Sequence, residues 1–292
     1  MSNNPKTKMK KMHKIKTQKV LPLIFSALAT FACFIPQDSL CAASTENAIL
    51  NKDSIKNWPS DPTIKVLVLQ DVEGALVEVK GSYNIYDPRT GKKLDSAFSS
   101  STYYMHPTTD GIKWGVEFPG VFQVMIVPDS PTTTVLVHGI EYRGMVYAYQ
   151  ADGTIGFVNE VTLDDYTNSC ISSLSQGKLT QPEAISALAI ALRTDALYKS
   201  QHGKTKYWDV KASQVGYQGQ AVVSLEKPYV DAFKMTSKMV LQNVQPIRWF
   251  NGKMEFAPVQ EIQTQASEGK DAKGILNRFF PDNHIVLSQN RR

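Results

Sequence analysis

The sequence predicts an α+β fold: a β-rich N-terminal half, a central capped helix and short helices toward the C-terminus. Three observations lead there. Short runs rich in β-branched and aromatic residues, separated by turn chemistry, fill residues 64–161. One well-marked helical pattern follows, and beyond it helices interrupt further strand-like segments. Such segregation, without regular strand–helix alternation, is the pattern of α+β domains.

The chain of 292 residues opens on "MSNNPKTKMKKMHKIKTQK", which holds seven lysines and no acidic residue, and continues into "VLPLIFSALATFACFI". A basic segment before an apolar one is the mark of an export signal, and Ala42 or Ala43 offers the small residue a signal peptidase needs. The apolar run from Val20 to Ile35 is shorter than the roughly 20 residues of a spanning helix. Residues 1–43 therefore read as a signal peptide, with an N-terminal membrane anchor as the alternative reading. Neither Cys33 nor Cys41 has the apolar-then-small context of a lipidated cysteine. Residues 44–62 are polar and read as a tether, and 63–292 as one domain. The expected location is the periplasm or cell envelope.

Without residues 1–43, which contain seven lysines and only Asp38, the formal net charge of +5 becomes −1. The alkaline character belongs to the leader, so a basic face for nucleic acid loses its support. Cys170 is then the one cysteine left, without a disulfide partner in the chain, and reads as a small buried residue.

In the domain, "IKVLVLQ", "ALVEVKG", "YNIYD", "GIKWGVEF", "VFQVMIVP" and "TTVLVHGIEY" read as strands. In "GMVYAYQADGTIGFVNEV", Asp152-Gly153 lies between two β-prone runs and predicts a tight hairpin. Asp164 and Asp165 then read as solvated charges at the strand end, and "CISSLSQGK" as a polar loop. Thr180-Gln181-Pro182-Glu183 predicts a helix start with a capping box. Ile185, Leu188, Ala189, Leu192 and Ala196 form an apolar stripe, and Gly203 is a stop. "PYVDAFKMTSKMVLQ" combines a short helix with a strand, and "VQEIQTQASEGKDAKGILNRFF" two short helices broken at Gly269.

Tyr142-Arg143-Gly144, the hairpin, Asn159 to Tyr166, Glu183-Ala184, Leu192-Arg193-Thr194 and "YWDVKASQVGYQG" occur in an order that resembles the core of the SpoIID/LytB family. That family includes stage II sporulation protein D and an amidase enhancer, and the similarity runs over roughly residues 62–287. The resemblance implies action on peptidoglycan. Some members are lytic transglycosylases cutting glycan strands stripped of their stem peptides, and others stimulate a cell-wall amidase. A lytic transglycosylase works with one carboxylic acid, which protonates the glycosidic oxygen and then accepts the proton of the sugar's own 6-hydroxyl.

In the family this acid is the Glu of a Glu-Met-Pro loop after the matching tyrosine. Counting from Tyr166 brings its position to Leu174, and leucine carries no proton. Glu160 and Asp165 are the candidate substitutes, with Asp164 and Glu183 also flanking the region. Arg193, Thr194, Gln214 and Tyr217 match family positions and have the chemistry to bind glycan. Arg193 could equally pair with Glu183 or Asp195. His202 stands near the family's zinc ligand, but no cysteine follows Cys170, so no metal and no cofactor is expected. The resemblance thus implies an exported peptidoglycan-binding protein that lacks the usual acid, with a lytic transglycosylase using a nonstandard acid as the alternative. Its partners would be glycan strands and an amidase.

Overall fold

The computed structural model describes residues 60–98, 102–175, 177–203, 205–242, 249–250, 253–254 and 259–288. All belong to the compact unit Asn47–Arg292. The leader and the tether up to residue 59 lie outside the described residues.

The fold is α+β, as the sequence predicts. Along the first half run β1 (Thr63–Val72), β2 (Ala75–Lys80), β3 (Ser82–Tyr86), β4 (Lys93–Phe98), β5 (Thr102–Thr108), β6 (Gly111–Trp114), β7 (Val116–Pro119), β8 (Gln123–Pro128), β9 (Thr134–Val137), β10 (Ile140–Tyr142), β11 (Met145–Ala151) and β12 (Thr154–Thr162). Then come α1 (Leu163–Ser175), α2 (Pro182–Gln201), β13 (Val210–Lys211), α3 (Ala212–Val215), α4 (Lys227–Thr236) and β14 (Met239–Leu241). The remaining elements are β15 (Trp249–Phe250), β16 (Lys253–Met254), α5 (Val259–Ser267), α6 (Ala272–Phe279) and β17 (Ile285–Leu287).

One sheet has the order β13-β1-β12-β11-β8-β3-β4 and the other β10-β9-β2-β5-β6-β7. Period-two alternation explains their shared core: Ala75, Val77 and Val79 of β2 point inward, while Leu76 and Lys80 face water. Inward residues of both sheets join one apolar cluster, in which the Tyr83 and Trp114 rings meet across the sheets at 5.7 Å. The hairpin at Asp152-Gly153 forms as predicted, both residues having positive φ (48° and 77°) as a tight turn between twisted strands requires. The sequence reading passed over β4 and β5. The former is polar, and the latter carries Pro107, which weakens a strand signal.

Helix α1 corrects a second reading. The segment taken for a polar loop is helical to Ser175, and Asp164 and Asp165 lie in its first turn, not at a strand end. The Thr162 hydroxyl accepts from the Asp165 N–H at 3.2 Å and donates to the Asp165 carboxylate at 2.9 Å, which caps the helix. Its serines hide the pattern because their hydroxyls serve neighbouring chain. Ser172 accepts from the Ser224 N–H at 3.0 Å, Ser169 from the Gln218 N–H at 3.2 Å, and Ser173 from the Gln218 amide at 3.1 Å.

Helix α2 was expected to bury one stripe, yet every residue from Ala184 to Ala196 is buried. It is surrounded by α1, α4, α5, α6, β14 and β1, and its alanines let these neighbours approach on all sides. The predicted capping box is also corrected. Gln181 is the N-cap and makes no side-chain cap bond. The Gln263 amide of α5 reaches over instead, its oxygen accepting from the Thr180 N–H at 3.2 Å and its nitrogen donating to the Thr180 hydroxyl at 2.8 Å. Glu183 accepts from the Ala272 N–H at 2.7 Å and so serves the first turn of α6, not its own helix.

Among the described residues the largest fully buried side chain is Arg193, 1% exposed. Its Nε donates to Asp164 of α1, and its Nη1 donates to the Thr236 and Met239 carbonyls at 2.9 and 3.0 Å. Three elements therefore meet at one guanidinium. Removing it leaves two carbonyls and a carboxylate without their donor, so Arg193→Ala is expected to lower stability by about 2–4 kcal/mol in urea denaturation. Lys227→Ala, which removes an exposed helix-surface pair with Asp231, is expected to cost less than about 0.5 kcal/mol.

Candidate functional site

A cavity of about 410 Å³ opens where the end of β8, the β8–β9 connection, the β10–β11 turn and the β12–α1 junction converge. Val127, Pro128, Pro131 and Met145 supply apolar wall; Ser130, Thr133, Thr162, Arg143 and Asp165 supply polar groups. The Arg143 side chain is 52% exposed, and its Nη1 donates to Asp165 Oδ1 at 3.3 Å. Asp165 is held from behind by the Thr162 cap described above.

The turn presenting Arg143 is built by two neighbours. At Gly144, φ is 76°, and an added Cβ would stand 2.3 Å from the Glu160 carbonyl oxygen, so only glycine lets the turn lie against β12. Asn159, fully buried on β12, donates to the Arg143 and Met145 carbonyls at 2.8 and 3.0 Å. Its oxygen accepts from the Tyr217 hydroxyl at 2.5 Å. The Tyr217 ring lies 6.1 Å from Tyr142 and 5.6 Å from Tyr166, and burial pushes the Tyr142 hydroxyl up to about 12. The Tyr-Arg-Gly run thus divides its tasks: Tyr142 enters the core, Arg143 the cavity, and Gly144 permits close approach.

The predicted glycan-binding residues do not gather at this cavity. Arg193, Thr194 and Tyr217 are 1%, 5% and 4% exposed. Thr194 donates to the Ile190 carbonyl at 2.7 Å and accepts from the Leu241 N–H at 2.8 Å, which ties α2 to β14. Gln214 is exposed on α3. Arg193 pairs with Asp164, neither with Glu183 nor with Asp195, and Asp195 pairs with Lys199 at 2.7 Å.

Leu174 lies in the last turn of α1, half-buried against the main core. Nine residues separate it from Asp165, and at a helical rise of 1.5 Å per residue that is about 14 Å. Leu174, the position reached by counting from Tyr166, and the cavity are therefore at opposite ends of one helix.

Glu160 is 1% exposed. It accepts from the Thr63 hydroxyl at 2.7 Å and the Tyr147 hydroxyl at 2.6 Å, with Lys65 Nζ at 3.9 Å. Nearby, Asp209 accepts from the Lys65 N–H at 2.8 Å. Burial, with Glu160 adding to it, pushes its carboxyl up to about 6. The Tyr149, Tyr207 and Trp208 rings cluster on this same outer face of the large sheet, Tyr149 and Tyr207 being nearly parallel at 5.1 Å.

Cys170 is fully buried, and burial pushes its thiol up to about 12, far from a reactive thiolate. His202 caps α2 and stacks on Tyr198 at 4.1 Å. Among the described residues no group of three or more His, Cys, Asp or Glu is placed to hold a metal ion. Nor is any helix among them long and apolar enough to cross a membrane. Sequence reasoning noticed Arg143 only as part of the Tyr-Arg-Gly motif; its place at a cavity depends on residues 127–133 and 162–165, which no local pattern brings to it.

A family model described as stage II sporulation protein (SpoIID) matches residues 151–242. An uncharacterised protein of Chlamydia pneumoniae is 32% identical over 231 residues, covering 78% of this chain and 82% of its own length. One from Chlamydia muridarum is 32% identical over 231 residues, with 78% of each chain covered. A protein of Brachyspira hyodysenteriae is 29% identical over 146 residues, half of this chain and 39% of its own. No solved structure matches the chain significantly.

Asp209 generates a pH prediction. Its carboxyl titrates at about 6 in the fold against a model-compound value of 3.8, so the fold disfavours the charged form and loses stability as pH rises through that interval. Asp209→Asn keeps an oxygen to accept from Lys65 and removes the charge. Allowing for partial solvent screening, it is expected to stabilise the protein by about 1–2 kcal/mol above roughly pH 7, the gain fading below about pH 4. Urea denaturation at the two pH values checks this; an equal gain at both would contradict it.

Proposed function

The chain belongs to the SpoIID family, whose role is cell-wall related, and from that premise we propose that it is an exported peptidoglycan-binding protein acting on glycan strands during wall remodelling or division, without the family's usual acid. The leader at residues 1–43 carries it to the periplasm or holds it at the envelope membrane, and it works beside a cell-wall amidase.

The state of the carboxylates carries this reading. Leu174 occupies the position that the family resemblance assigns to the acid, and a hydrocarbon side chain neither gives nor takes a proton. The flanking carboxylates have other work: Glu160 is buried beneath Thr63, Tyr147 and Lys65; Asp164 accepts from Arg193 and Ser237; Glu183 holds the start of α6. A group 1% exposed, as Glu160 is, cannot touch a polysaccharide.

A second reading retains catalysis through Asp165, favoured by one observation: it lines the cavity, with its side chain 29% exposed. In that case the same carboxyl would protonate the bridging oxygen and then accept the 6-hydroxyl proton, so no activated water is required.

Co-sedimentation with purified sacculi tests binding, and mass spectrometry of peptide-stripped strands after incubation tests cutting. The expected outcome is retention on sacculi and no anhydro-ended sugars. Anhydro ends that disappear in Asp165→Asn would establish the second reading, and failure to sediment would overturn the first.

A further inference from the structure

We propose that residues 47–59, which lead into β1, dock on the domain's own surface along the exposed side of α4 and the end of the β14–β17 pair, with Trp58 lying over Met235 and Leu287. This concerns how the domain is held and does not depend on the glycan-binding reading.

The chain enters the described residues at that surface. Asp61 Oδ1 pairs with Lys238 Nζ at 2.7 Å, and one residue later the Pro62 carbonyl accepts from the Leu163 N–H at 3.0 Å. Lys238 lies in the connection from α4 to β14 with a φ of 62°, in the left-handed region that lysine rarely adopts. A charged residue thus stands where the backbone would suit glycine, and its charge is the one that fixes Asp61.

Apolar side chains left in water flank this ion pair. Met235, three residues before Lys238, is 66% exposed. Leu287 is 64% exposed and precedes Ser288, whose N–H donates to the Lys238 carbonyl at 2.7 Å. Exposed Val230, and Leu225 just ahead of the helix, continue the strip along α4 for about 15 Å at helical rise.

The chain before Asp61 carries matching side chains: Ile49, Leu50, Ile55 and Trp58 stand among polar residues, and all four belong to the compact unit that begins at Asn47. Trp58 is three residues from Asp61, a span of about 10 Å at full extension, which keeps it in the neighbourhood of Met235 and Leu287. Ile55 and Leu50 lie further back, with enough chain to follow α4 to Leu225. A second copy or a bilayer would also cover apolar surface, but neither is already fixed at Lys238. A segment held at one end has a high effective concentration over the surface beside it, so modest apolar contacts suffice to offset its ordering. Docking takes up most of the tether, and little free chain then remains between the leader and the domain.

Hydrogen exchange on the purified full chain tests this. Amides of residues 47–59 are expected to exchange about tenfold slower than those of a synthetic peptide of the same sequence. Met235→Ser and Leu287→Ser, both at exposed positions, should each remove most of that protection while exchange in β1 and α2 stays at the wild-type rate. Trp58→Ser should release the tether likewise and quicken exchange in β17. Wild-type tether amides exchanging at the free-peptide rate overturn the proposal. Protection that survives both Met235→Ser and Leu287→Ser overturns it by putting the tether on another face. Protection that depends on protein concentration overturns it in favour of a second copy. Protection that appears only after vesicles of phosphatidylethanolamine and phosphatidylglycerol are added overturns it in favour of a membrane surface.

Discussion

The Asn159 side chain is the contact from which the geometry of the molecule follows. It is an amide with no water around it, and a buried amide must spend its donors and acceptor on protein groups. Two donors go to carbonyls on either side of Gly144, and the acceptor goes to Tyr217. That single group therefore sets the turn between the two sheets and anchors the chain returning after α2. The three tyrosines 142, 166 and 217 fill the space around it, and none of these side chains is available to a ligand. What remains outside is the motif's Arg143, whose carbonyl is gripped by Asn159 and whose half-exposed side chain meets Asp165 at the cavity.

A second buried charge organises the helical half. Arg193 has its carboxylate partner on α1 and its carbonyl partners after α4 and on β14, so its role is to join segments distant in sequence. Arg193, Thr194 and Tyr217, singled out by family position together with their chemistry, all lie inward. Arginine, threonine and tyrosine are as well suited to satisfying buried carbonyls and amides as to binding sugars, and one-dimensional spacing does not distinguish the two uses. Carboxylates behave likewise. Glu183 sits where a helix cap belongs, but the amide it satisfies is on another helix, reached only through the fold.

Much of the architecture was nonetheless legible. Alternation found most strands, Asp152-Gly153 located the hairpin, and the break at Gly269, where φ is 86°, separated α5 from α6. Helix α1 was not legible because its apolar residues Leu163, Tyr166, Cys170, Ile171 and Leu174 are interleaved with six hydroxyl or amide residues that normally favour loops. Four of those hydroxyls, on Ser169, Ser172, Ser173 and Ser175, are the attachment points of residues 218–229, with Ser175 accepting from the Tyr229 hydroxyl at 2.7 Å. Their partners lie some fifty positions away and leave no local signal. The full burial of α2 was hidden for a related reason: alanine counts for little in a periodicity argument, yet it is what allows six neighbours to close around one helix.

The connection made by Gln263 and Glu183 bears on where this protein could be cut. The stretch recognisable as SpoIID ends at residue 242, a natural place to draw a boundary when designing a fragment. Both α5 and α6 come later, and they form part of the sheath around α2, with Ile262, Ile275 and Leu276 interred there. A fragment ending at the recognisable stretch would bare an aliphatic rod and orphan two amides at its head. Such a piece would expose apolar surface of the kind that drives association, so the matched segment is not self-sufficient, and residues 259–288 belong in any fragment meant to keep α2 covered.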